Sequence, residues 1–154
     1  MPLSAPVMDD AASEPQKVVT VAEANALLPQ IVPLVEQLRG LQRSLVDTNR
    51  QLEDVIEKLS AGNGYPIQSL KERLETLTKH QLQLIEAFQS ALMQLQDLGA
   101  LLKDVQKGLV DFYWMRGEEL AFLCWCLGED RIGFWHGLEE GFAGRQPLDE
   151  GYRV

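Results

Sequence analysis

The sequence predicts an α+β protein: a long antiparallel two-helix coiled-coil hairpin, packed at one end on a small three-stranded antiparallel β-meander. Three observations carry that prediction. Leu70, Leu74, Leu77, Gln81, Leu84, Phe88, Ala91, Leu95, Leu98 and Leu102 recur at alternating steps of four and three, an a/d stripe. A second such stripe precedes it: Ile31, Leu34, Leu38, Leu41, Leu45, Thr48, Leu52, Val55 and Leu59. From Leu109 onward the apolar segments become short and aromatic, with glycine-containing turns between them.

The hairpin follows from burial. At about 1.5 Å per residue the helix from Leu70 to Leu102 is about 50 Å long, and a narrow stripe of that length buries only against another helix. Ala61-Gly62-Asn63-Gly64-Tyr65-Pro66 breaks the chain between the stripes, and so short a connection makes the helices antiparallel. Setting Leu59 opposite Leu70 brings Leu52 to Leu77, Leu41 to Phe88 and Leu34 to Leu95. The two polar members, Thr48 and Gln81, then face each other, a pairing able to hold the register. Away from the turn the stripe widens, through Val32 and Val35 on one helix and Ile85 and Leu92 on the other. A third element covers that end, and the turn end projects as a bare arm.

In chain order, residues 1–17 read as a disordered tail rich in Pro, Ala, Ser and Asp, without the basic lead and apolar core of a secretory signal. Thr20-Val21-Ala22-Glu23 is a capping box. Pro29 and Pro33 then predict a short helix over Val21–Leu28, a bend, and a long helix from near Gln30. The second helix starts at Pro66 or at the box Ser69-Leu70-Lys71-Glu72, and Gly108 stops it. The hairpin thus occupies 18–107, the meander 108–137 and a wrapping tail 138–148 of one domain, with 149–154 as the C-terminal end.

The strands are expected at Leu109–Met115, Leu120–Leu127 and Arg131–His136. Tight turns bring Phe112 to Ala121 and Leu123 to His136. His136 then shares a face with Phe112, Leu123 and Trp125, and the other face holds Asp111, Phe122, Cys124, Cys126 and Trp135. Neither face is polar. The hairpin covers one, and the other, with Phe122 and Trp135, calls for the tail or a second copy, which predicts a homodimer. Narrow stripes beyond the middle argue against pairing between the arms.

The chain carries net charge −9 with no Lys/Arg cluster longer than a pair, which argues against nucleic acid and anionic membranes as partners. No apolar run of spanning length occurs, so a cytoplasmic protein with reduced Cys124 and Cys126 is expected.

Several blocks resemble a known family. They are Thr20-Val21-Ala22-Glu23-Ala24-Asn25-Ala26-Leu27-Leu28-Pro29, Lys103-Asp104, Gly108-Leu109-Val110-Asp111-Phe112, Leu123-Cys124-Trp125, Leu127-Gly128-Glu129, Trp135-His136 and Gly141-Phe142-Ala143-Gly144-Arg145-Gln146-Pro147. Together they resemble the bacterial family catalogued as domain of unknown function 2203, from about Val18 to Leu148, with Tyr113 where that pattern has proline. The resemblance implies a small, soluble bacterial protein and no particular activity.

Asp111, Cys124, Glu129, His136 and Arg145 all fall in or beside the sheet. A bound ligand would draw on Asp111, Glu129, Trp135, His136 and Arg145, and a transition metal on Cys124, Cys126 and His136. The plainer alternatives are two small buried thiols, a hydrogen-bonded core-edge imidazole, an Asp111–Arg145 ion pair and a solvent-facing Glu129. His80 lies far off on the arm. No nucleotide-binding glycine motif or Ser-His-Asp order is present. Two classes follow: a non-enzymatic interaction or self-association module without a cofactor, working through a homodimer or a protein partner, and a small-ligand or metal-binding domain, catalytic or not, sited near the meander. The first is favoured, since a fold by itself licenses no enzyme.

Overall fold

A computed structural model of the chain describes residues 17–62, 64–149 and Gly151; the tail expected over 1–17 lies, Lys17 apart, outside them. Two long helices, α1 (Val21–Ala61) and α2 (Ile67–Asp97), run into a sheet of β1 (Ala100–Asp104), β2 (Leu109–Arg116), β3 (Glu119–Cys126), β4 (Phe134–His136) and β5 (Gln146–Pro147). Each strand pairs antiparallel with the next, so the sheet order is the chain order. The α+β class and the packed helix pair stand. The strand count is five, not three. No helix among the described residues is long and apolar enough to cross a membrane.

The capping box forms as expected: Glu23 N–H donates to Thr20 Oγ1 at 3.0 Å, and Thr20 N–H donates to Glu23 Oε1 at 2.8 Å. The predicted bend does not. Pro29 and Pro33 sit inside one continuous helix. Both lie on its exposed side, while Ile31, Val35 and Leu38 on the opposite side are fully buried. The apolar side therefore holds the helix axis through two missing backbone bonds. The second helix starts directly after Pro66, without a side-chain cap. It also ends earlier than expected. Gly99 turns the chain at φ +94, and Ala100–Asp104 leaves the helical stripe to become the strand opposite Leu109–Phe112. Leu98 and Leu102 continued the heptad by coincidence. Pairing with a sheet edge outweighs one further turn of helix.

The hairpin contains two cores. Near the turn, Leu52, Val55, Leu70 and Leu77 pack with Leu59 and Leu74 in a cluster built from the helices alone, as a projecting arm requires. At the other end Ala24, Ile31, Val35, Leu38, Ala91 and Leu95 join the sheet residues Val110, Phe112, Leu123 and Trp125. The polar layer between them differs in detail from expectation. Gln81 donates to Asn49 Oδ1 at 2.7 Å, one residue along from the buried Thr48.

Register decides what the sheet's two faces carry. β2 and β3 pair with Phe112 opposite Leu123 and Trp114 opposite Ala121, two residues from the expected match, so their faces stay as predicted. β3 and β4 pair with Phe122 opposite His136 and Leu123 opposite Trp135, one residue from the expected match, so β4 is turned over. Its strand covers only Phe134–His136, because Gly128 to Gly133 forms a longer connection than a tight turn. Trp135 packs toward the helices near Trp114, and His136 joins Asp111 and Cys124 on the outer face.

That outer face is not left bare. Phe122 is only 5% exposed, with the Tyr113 ring at 4.8 Å and the Lys103 ammonium 4.7 Å over its ring. The tail wraps beyond it through a 3-10 turn, Phe142–Gly144, and Leu148 returns to the main core. The premise that Phe122 and Trp135 need a second copy to cover them is thereby overturned.

Candidate metal centre

Three strands deliver the site. Asp111 from β2, Cys124 from β3 and His136 from β4 are each 2% exposed or less. One ligand atom from each lies within 4.8 Å of the others. Adjacent strands stand close enough for side chains at paired positions to touch, and Asp111 is directly opposite Cys124.

Hydrogen bonding sets the state of the imidazole. Nδ1 lies 2.7 Å from the Gly137 carbonyl oxygen, which only accepts, so Nδ1 carries a proton. Nε2 lies 2.9 Å from Asp111 Oδ2. One further proton occupies that contact, either as a carboxylic acid donating to neutral imidazole or as an imidazolium donating to carboxylate. Asp111 Oδ1 is buried and has no hydrogen-bond partner. Leaving a carboxylate oxygen in that condition is costly, and it marks a place where a cation would be accommodated.

Burial pushes the Asp111 carboxyl above its usual range, against the opposing charges of His136 and Lys103 and the hydrogen bond with His136. Burial, with the Asp111 charge, pushes the Cys124 thiol up to about 12, although the Arg145 guanidinium beside it pulls the other way. A thiol held there is a poor nucleophile at neutral pH. A metal ion competes with that proton directly and turns the same sulfur into a thiolate ligand.

A second polar group flanks the trio. Arg145 donates to both carboxylate oxygens of Glu129, Nη2 to Oε2 at 2.6 Å and Nη1 to Oε1 at 3.2 Å. Burial draws the guanidinium pKa down, but the bonds to Glu129 outweigh it and hold the value above the ordinary one. Glu129 Oε1 also accepts from Cys126 N–H at 2.8 Å, so this residue braces the β3 end instead of facing solvent. Arg145 stacks on Phe134 at 3.9 Å and Phe142 at 4.4 Å, which ties the tail across the outer face.

Of the residues singled out from sequence, Asp111, Cys124 and His136 come together, with Glu129 and Arg145 beside them. Asp111 pairs with His136 and Arg145 with Glu129, where an Asp111–Arg145 ion pair was the plainer expectation. Trp135 points to the other face. Cys126 stands apart, with its thiol donating to the Lys107 carbonyl at 3.3 Å, and His80 is exposed on the arm. Lys103 was not among the sequence candidates. It acts on Asp111 from β1, a strand hidden within the helical stripe.

This constellation lies in a chain that matches the family described as Uncharacterized conserved protein (DUF2203) over residues 17–148. The protein belongs to that family. No curated protein and no solved structure shows a match to it.

Proposed function

We propose that the protein binds a transition-metal ion through Asp111, Cys124 and His136. The observation that carries this reading is the buried trio, one member of which, Asp111, has a carboxyl oxygen without a hydrogen-bond partner. A borderline-soft divalent ion such as zinc suits one sulfur, one nitrogen and carboxylate oxygen. Zinc–ligand bonds of about 2.0–2.3 Å put donors roughly 3.3–3.8 Å apart. The wider separations in the trio, up to 4.8 Å, therefore close by about an ångström, while Asp111 Oδ2 and His136 Nε2, 2.9 Å apart, exchange their hydrogen bond for the ion and open by about half an ångström. Asp111 Oδ1 can complete four-fold coordination as the second oxygen of a bidentate carboxylate.

Charge supports the same reading. A divalent ion with one thiolate, one carboxylate and a neutral imidazole forms a neutral unit, the form a buried site tolerates best. The Nδ1–H bond to Gly137 presents Nε2 to the ion and fixes the ring, the usual support for a ligating histidine. Arg145 stabilises the thiolate from outside. Closed under the tail, the centre serves to stabilise and organise the sheet and the tail over it rather than to turn over substrate.

Metal analysis of the purified protein tests this, with thermal melts of the chelator-treated protein before and after zinc addition. One equivalent of bound ion and a melting temperature raised by several degrees are expected, since ligand binding to the native state adds stability. Absence of bound metal together with a melt indifferent to zinc overturns it.

A second reading, self-association, has its own support. The arm holds a separate core and reaches past the sheet, and one exposed stripe of α1 carries charges without partners. Under this reading the protein is a homodimer whose contact lies on the helices and not on the sheet.

A further inference from the structure

We infer that two copies pair through the outer stripe of α1, antiparallel, about a two-fold axis level with Thr48. This rests on the self-association reading and specifies its surface. Arg39, Arg43, Val46, Arg50, Glu53 and Glu57 follow one another at steps of four, three, four, three and four, a second heptad-like line on α1. All but the half-buried Arg39 are exposed, and the line lies well round the helix from the buried seam of Leu38, Thr48, Leu52 and Val55.

The charges divide by position. The half nearer the sheet is basic, and the half nearer the arm tip is acidic. Within the monomer the two ends of the stripe set like charges together, and only Arg50 and Glu53, three residues apart, are neighbours of opposite sign. Arg39 with Arg43, and Glu53 with Glu57, are like-charged neighbours one turn apart, each pair mildly destabilising to the helix. The acids one turn beyond Arg43 and Arg50 are engaged elsewhere: Asp47 accepts from Gln51 at 2.8 Å, and Asp54 pairs with Lys58 at 3.0 Å. None of the five charges in the stripe has an ion-pair partner among the described residues. Arg39, Arg43, Val46 and Arg50, with Gln106 at the sheet end, border an open groove of about 400 Å³.

An antiparallel second copy gives four of the five charges a partner of opposite sign. Arg39 meets Glu57 of the other copy, Arg43 meets Glu53, and Val46, 51% exposed in the monomer, lies under the aliphatic stem of Arg50. The two-fold axis repeats each contact. Parallel pairing would instead set arginine against arginine. Charges so placed select partner and orientation more than they add affinity, so the dimer is salt-sensitive and of modest strength.

Charge swaps in the full chain test it, read by sedimentation over a dilution series at low salt. Arg43→Glu alone and Glu53→Arg alone should each weaken the dimer at least roughly tenfold, because each sets like charges face to face twice. The double swap should restore it. Mixing the two single variants should yield a heterodimer, since each supplies the charge the other lacks. Both positions are exposed, so circular dichroism should report unchanged folding. A wild-type dimer indifferent to these swaps overturns the α1 contact while self-association stands. A wild-type monomer throughout the series overturns both.

Discussion

Replacing His136 with alanine is expected to lower the stability of the metal-free protein by about 3 kcal/mol, a fall in melting temperature of roughly 10 °C. The cause is the buried carboxyl group left behind. Asp111 Oδ2 has His136 Nε2 at 2.9 Å, and Oδ1 has no partner, so removing the ring strips the buried group of its main support. The ring's contact with Phe122, 5.4 Å between centroids, is lost as well. In the same variant zinc should no longer raise the melting temperature. Cys124→Ser separates the two effects, because it keeps the volume and the Asp111–His136 bond while removing the sulfur ligand. It should melt within a few degrees of wild type without zinc and respond weakly to zinc. A His136→Ala protein as stable as wild type would show that the buried pair contributes little. A Cys124→Ser protein with a full zinc response would remove sulfur from the site.

Gly108→Ala should cost about 2–4 kcal/mol, the sum of left-handed backbone strain and overpacking. Gly108 lies between β1 and β2 at φ +68, and an added Cβ would stand 2.6 Å from Leu127 Cβ and 3.2 Å from Val35 Cγ1. Its carbonyl accepts from Leu127 N–H at 2.9 Å, which holds the end of β3 against this turn. Backbone and helix α1 therefore approach where only hydrogen fits. Gly117→Ala is the matched comparison. It has φ +64 but nothing within 4 Å of the added carbon, so it should cost only the strain, about 1 kcal/mol. Chemical denaturation of both variants measures the difference. Equal costs would show that the contact with Leu127 relaxes freely.

The helical part of this fold was legible because its signal is long. Nine positions on α1 and eight on α2 repeat one period, and a slip of one residue would spoil all of them. The exceptions are local. Pro29 and Pro33 speak for a break as short-range signals, but Ile31, Val35 and Leu38 sit fully buried on the far side and keep the axis continuous. Leu98 and Leu102 extend the heptad past Gly99, so β1 was concealed by a pattern that does not register a change of backbone direction.

The candidate site illustrates the weaker signal of short strands. β4 has three residues, and its register depends on a connection whose length no periodicity reports. A shift of one residue moved His136 from the face opposite Cys124 to the same face, which turned scattered polar residues into a trio. The residue types were apparent from the sequence, and so was their location in or beside the sheet. Their convergence was not, because alternation makes side-chain direction in a strand all or nothing. Cys126, two residues along β3, also shows how little proximity in sequence implies, since its thiol bonds the Lys107 carbonyl and takes no part in the trio.

The most direct measurement is a cobalt titration of the chelator-treated protein, followed by visible and near-ultraviolet absorption. A site made by Asp111, Cys124 and His136 predicts saturation at one equivalent. It predicts the intense d–d bands of four-coordinate cobalt and a thiolate-to-cobalt charge-transfer band that disappears in Cys124→Ser, with uptake weakening as pH falls because protons compete for the same sulfur, nitrogen and oxygen. A spectrum that stays that of hydrated cobalt, or one that saturates with the same bands in Cys124→Ser, would contradict it.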